Sequence, residues 1–114
     1  MTEGSELAIS QDVLFGIAQL ALDQVDGVRP ASPVARVGEV LSGRRLKGIR
    51  IAREGQQVTV DLTVSVVYGV RIPEVAVKAQ VAVREAITSM TGLQVDTVNV
   101  KVEAIELPEG LGRG

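Results

Sequence analysis

The sequence predicts an α+β fold: a two-layer sandwich of order β-α-β-β-α-β, with one polar, exposed sheet face and two helices on the other. Three observations carry this. Residues 11–25 and 73–90 repeat apolar side chains at helical spacing. Residues 58–68 and 98–104 alternate apolar with mostly polar ones, the mark of strands with one face buried and one in water. Gly27, Gly55, Gly69 and Gly92 punctuate the boundaries between these stretches.

Taken in order, residues 6–9 are expected to form a short first strand. Ser10 then offers an N-cap hydroxyl to a helix over residues 11–25, with Asp12 near its positive end. Val13, Ile17, Leu20, Ala21 and Val25 are its expected buried stripe, and Asp26-Gly27 ends it. Residues 29–47 hold Pro30, Pro33, Gly38 and Gly43 and keep no period, so a long loop is expected there, with a helical turn around 34–41. Residues 47–53 place Ile49 and Ile51 on one face, Glu54-Gly55-Gln56 supplies a turn, and residues 58–68 complete a hairpin. Pro73 suits the first turn of a second helix, over residues 73–90, where its missing N–H costs nothing. Val75, Ala79, Ala82, Val83, Ala86, Ile87 and Met90 give this helix an apolar face, and Glu74 and Lys78 are spaced to pair on its surface. A last strand is expected over residues 94–106, followed by a tail outside the core. The two hydrophobic layers could take a ferredoxin-like split βαβ arrangement.

The run Val60-Asp61-Leu62-Thr63-Val64-Ser65-Val66-Val67-Tyr68-Gly69-Val70-Arg71-Ile72-Pro73-Glu74-Val75-Ala76 resembles the signature of the alkaline shock, or general envelope stress response, family of bacteria. Met90-Thr91-Gly92-Leu93, Val98-Asn99-Val100, Val25-Asp26-Gly27-Val28 and Lys47-Gly48-Ile49 fit the same family in order and spacing. The resemblance spans residues 7–106 and omits the 29–46 loop and the tail. It implies a small cytoplasmic protein tied to cell-envelope or alkaline stress. It carries over no catalytic residues, because the family is defined by a phenotype.

Composition narrows the chemistry independently. A chain of 114 residues fits a single domain, with a core over residues 7–106, and is long enough to fold without metal or disulfides. With no Cys and no His, thiolate chemistry, the usual zinc sites and His-based triads are excluded. No cofactor is expected. The start Met1-Thr2-Glu3-Gly4-Ser5-Glu6 is not that of a secretory signal, and no apolar stretch approaches the roughly 18 residues of a membrane span. A soluble chain is therefore expected, cytoplasmic as the lack of Cys also fits, with any membrane association coming through a partner or a surface patch.

Net charge is −2, yet Arg29, Arg36, Arg44, Arg45, Lys47, Arg50 and Arg53 fall in one segment whose only acidic residue is Glu39. Arg44, Arg45, Lys47, Arg50 and Arg53 form a candidate anion-binding patch, for which a solvated loop is the plainer reading. The Gly43-Arg44-Arg45-Leu46-Lys47-Gly48 run is not a phosphate loop, since Gly48 leads to Ile49 and a strand rather than to Lys-Ser/Thr and a helix. Asp61 and Glu103 are the best pair for acid–base chemistry, but two solvated carboxylates, partnered by Arg50 or Lys101, explain them more simply.

Arg50, Thr59, Asp61, Thr63, Lys101 and Glu103 mark the polar sheet face as a candidate partner surface. That face lacks the aromatic platform of an RNA recognition motif. Phe15 and Tyr68, the only aromatic residues, fall in apolar phases and are expected in the core. The expected function is a non-catalytic, stress-associated scaffold that acts by protein–protein contact, through a membrane-anchored partner or by self-assembly. The alternative is an RNA- or nucleoid-associated accessory protein that uses the basic cluster.

Overall fold

The computed structural model describes residues 7–30 and 48–107. They form α1 (Gln11–Asp23), β1 (Val28–Pro30), β2 (Ile49–Glu54), β3 (Gln57–Val67), α2 (Ile72–Thr91) and β4 (Gln94–Glu106). The α+β class and the polar-faced sheet under two helices stand as read from sequence, but the first strand does not. Leu7 to Ser10 pair with no strand, and a short β1 after α1 takes that place in the order. Side chains hold the N-terminal segment instead. Arg53 Nη1 donates to the Ile9 carbonyl (3.0 Å), and Gln11 Nε2 donates to the Ile51 carbonyl (3.1 Å). The expected loop after Arg29 thus begins as a strand, and the expected turn around 34–41 lies outside the described residues.

β3 is the centre of the sheet. Its first half pairs antiparallel with β2 (Glu54↔Gln57 to Ile49↔Leu62), and its last residues pair antiparallel with β1 (Val28↔Val66). Along its whole length β3 also pairs with β4, in parallel. β4 occupies one edge of β3, so β1 and β2 follow each other along the opposite edge. Parallel neighbours require a crossover, which α2 supplies. The hairpin between β2 and β3 is a two-residue loop, one shorter than expected, with Gly55 at φ +61 in the first central position.

Val58, Val60, Leu62, Val64 and Val66, every second residue of β3, are at most 2% exposed and form the floor of the core. Burying each such side chain stabilises the fold by roughly 1.5–3 kcal/mol. From α2 come Val75, Ala79, Val83 and Ile87, as the helical spacing predicts. Met90, on the same stripe but in the last turn of the helix, is instead 70% exposed. Gly92 closes α2 in the left-handed conformation (φ +77), its N–H donating to the Thr88 carbonyl. Glu74 finds its ion pair with Arg71 (3.4 Å), one turn back, not with Lys78.

α1 sits at a different rotation from the one expected. Leu14, Ile17, Ala18, Ala21 and Leu22 face the core, whereas Val13 and Leu20 are exposed. This helix is apolar around most of its circumference, so two overlapping stripes fit its sequence, and contact with the sheet selects between them. Its N-cap is as read: Ser10 Oγ accepts from the Val13 N–H (3.2 Å).

Candidate protein-interaction surface

The sheet face away from the helices carries Arg50, Thr59, Asp61, Thr63 and Lys101, as strand alternation requires. Register turns that list into rows. Arg50, Asp61 and Asn99 lie side by side across β2, β3 and β4, and Asn99 Nδ2 donates to Asp61 Oδ1 (2.8 Å). Thr63 is beside Lys101. At the far end Arg29, Ser65 and Ala104 share a row. There Ser65 Oγ, buried, donates to Glu106 Oε2 (2.9 Å), while Arg29 Nε lies 3.6 Å from Glu106 Oε1. This clasp ties β1, β3 and β4 together, and it did not emerge from the sequence. Arg29 and Glu106 are far apart in the chain, and nothing in their local pattern announces the contact.

Glu103 occupies a different position from its neighbours. The β3–β4 register steps from Val64↔Val102 to Ser65↔Ala104, which leaves Glu103 as the extra residue of a bulge. Asp61 and Glu103 are consequently about three and a half residues apart along the sheet, on the order of 12 Å. The structure does not bring these two carboxylates to one bond. Two cations of the face instead sit beside anions, Arg50 by Asp61 and Arg29 by Glu106, while Lys101 lies beside Thr63. The face is a mosaic of both signs.

The basic candidates do not form one surface among the described residues. Arg50 is directed to the polar face, and Arg53, opposite Val58 in register, to the helix side. Arg53 is also engaged, since its Nε donates to the Gly55 carbonyl (3.0 Å) in addition to its bond to Ile9. Arg44, Arg45 and Lys47 lie outside the described residues. Tyr68 departs from the core expectation and is 60% exposed, because it follows the last ladder residue of β3, and Ile72, Ile105 and Leu107 are also exposed. Phe15 is half-buried against the core.

An open cleft of about 590 Å³ lies at the hairpin end, lined by Leu7, Ile9, Arg53 and Leu93 among others. Among the described residues no three acidic side chains gather to hold a metal ion, and no helix is long and apolar enough to cross a membrane.

Fold and surface together define a small α+β module whose sheet offers one open face of mixed charge. Solved structures share this architecture. A copper form of a MamM CTD variant matches with a TM-score of 0.52 at 18% identity, covering 85% of this chain and 100% of that one. A zinc form matches with a TM-score of 0.52 at 17% identity, covering 88% and 91%. At such identities the likeness is one of fold. Sequence relatives are more informative. The chain is 30% identical over 111 residues to the uncharacterized protein YqhY of Bacillus subtilis (strain 168), covering 92% of this chain and 80% of the relative. It is 32% identical over 101 residues to the uncharacterized protein Spy1535 of Streptococcus pyogenes serotype M6, covering 88% and 78%. Residues 1–107 match the model of the Asp23 family, described as having a cell envelope-related function. The chain belongs to this alkaline shock protein family, as the Val60–Ala76 run implied.

Proposed function

We propose that the protein is a non-catalytic scaffold of the cytoplasm, linked to cell-envelope stress, that works by protein–protein contact and reaches the membrane through a partner. The observation that carries this reading is the sheet face of Arg50, Asp61, Asn99, Thr63 and Lys101, set in rows of mixed charged and neutral polar groups and open to solvent. A mosaic of both signs suits a partner of complementary pattern, and it suits a polyanion poorly, because Asp61 and Glu106 lie beside Arg50 and Arg29 and interrupt the positive charge. Family membership supplies the envelope link. The separation of Asp61 from Glu103 supports a non-catalytic role.

The test is a tagged pull-down from native cells, with and without nuclease and across a salt series, using the natural chain and an Arg50→Glu/Lys101→Glu variant. The expected result is recovery of envelope proteins that resists nuclease and falls at least several-fold in the variant. Recovery that disappears with nuclease would move the assignment to nucleic acid, whose binding weakens steeply with salt. Nuclease-resistant recovery unchanged by the charge reversal would refute the assignment to this face.

A further inference from the structure

The two outer edges of the sheet are treated differently by the rest of the chain. Backbone directions follow from the ladder. Thr63 N–H bonds to the Gly48 carbonyl and Val67 N–H to the Gly27 carbonyl, so odd-numbered β3 residues point to the β1/β2 side. The Gln94 N–H bonds to the Gln56 carbonyl and the Tyr68 N–H to the Glu106 carbonyl, so even-numbered positions point to β4. On β2, Gly48 and its alternates therefore point inward, and Ile51 points out. That outward carbonyl is taken by Gln11, and Arg53 straps the N-terminal segment beside it. The β2 edge is covered.

On β4 the same reasoning turns Thr97, Asn99 and Lys101 toward β3 and leaves Val98, Val100 and Val102 with N–H and C=O directed outward. Among the described residues β3 is the only strand beside β4. Among the described residues the Val98 carbonyl is the one outward group that accepts a bond, from Gln80 Nε2 (3.0 Å), and a carbonyl has a second lone pair. Bulges at Asp96 and Glu103 interrupt the edge on either side. Bulges are a common means of blunting an edge strand, yet here they bracket a regular stretch along which, among the described residues, no backbone segment lies, and only Gln80 reaches it. The three outward residues are symmetric about Val100.

We propose that β4 pairs antiparallel with β4 of a second copy of this chain, about a two-fold axis through Val100. In this register Val100 faces its own counterpart, and Val98 faces Val102 of the other copy. All three outward residues become hydrogen-bonded pairs, which gives six backbone bonds across the axis. Shifting the register by two residues loses at least one of these pairs or runs into a bulge, where the outward direction is lost. Side chains agree with the backbone. Val98, Val100 and Val102 all lie on the helix side, so the contact there is a row of valines, with Val100 and Val102 only half-buried at present. On the polar side Asn99 meets Lys101, with no like charges opposed. The second copy is thus the occupant that edge geometry, apolar matching and charge all accept, and two sheets merge into one with the polar faces continuous.

This inference deepens the scaffold reading by naming one partner, and the two fail separately, because a monomer that still retrieves envelope proteins overturns only the dimer. Sedimentation equilibrium on the full chain is expected to show a concentration-dependent dimer. Val100→Pro removes an N–H that bonds nothing among the described residues, and proline is tolerated on an edge strand at such a position. The variant should keep its far-ultraviolet circular dichroism and weaken dimerisation at least tenfold. The chain has no Cys, so a single Val100→Cys substitution gives an independent readout. Mild oxidation should cross-link it into covalent dimers, while Glu54→Cys at the hairpin tip should form no covalent dimer. A wild-type chain monomeric at all concentrations, a folded Val100→Pro variant that dimerises as strongly as wild type, or equal cross-linking of both cysteine variants would overturn the proposal.

Discussion

Replacing Gly27 by alanine tests how the first helix is joined to the sheet. Gly27 has φ +87, and its carbonyl accepts the Val67 N–H (3.0 Å), so it aims β1 along the end of β3. A Cβ added there would stand 2.9 Å from Val70 Cγ1, closer than nonbonded carbon atoms tolerate. Two costs are therefore separable. Holding an L-residue at positive φ costs about 1–2 kcal/mol. Moving Val70 adds about 1 kcal/mol, since valine is stiff at χ1 and must leave its rotamer or push its neighbours. The sum, about 2–3 kcal/mol, should lower the midpoint of thermal unfolding by roughly 8–20 °C in a domain of this size. Chemical denaturation of Gly27→Ala, Val70→Ala and the double variant closes a thermodynamic cycle. In the Val70→Ala background the alanine at 27 should cost about 1 kcal/mol less than in the natural chain. A cost below about 0.5 kcal/mol in the natural chain, or no coupling in the cycle, would refute the close approach inferred between these residues.

Leu62→Ala, at a position 1% exposed on the central strand, should destabilise by about 2–5 kcal/mol, whereas Tyr68→Ser, at 60% exposure, should change stability by less than about 1 kcal/mol; urea unfolding of both variants checks the contrast. Ser65→Ala removes the buried hydroxyl that donates to Glu106 and should cost about 1 kcal/mol, with faster amide exchange in β1 as the accompanying sign that the end clasp has loosened.

The strands and the second helix were legible because their chemistry is local. In β3, alternation of valine with threonine, serine and aspartate has a period of two, which only one rotation of the strand can satisfy. Gly55 and Gly92 lie where positive φ was needed, and Ser10 where a helix needed a hydroxyl. The polar sheet face and its residues followed from the same alternation. Membership of the alkaline shock family was also visible in the Val60–Ala76 run.

Other features depended on partners distant in the chain. The rotation of α1 was ambiguous because Val13 and Leu20 are as apolar as Leu14 and Leu22, and only packing against the sheet distinguishes them. Residues 7–9 and 28–30 are both short enough to be strand or coil. β1 became a strand because Gly27 delivers it to the free end of β3, while the N-terminal segment met Arg53 and Gln11 side chains instead. The Asp61↔Asn99 register, which keeps the two candidate carboxylates apart, and the bulges at Asp96 and Glu103, which bracket the outer edge of β4, exist only in the registration of one strand against another. Periodicity along the chain thus determined which residues are inside and which are wet. Which backbone groups remain free to meet another chain was decided by tertiary pairing, since a hydrogen bond belongs to two strands and is written in neither alone.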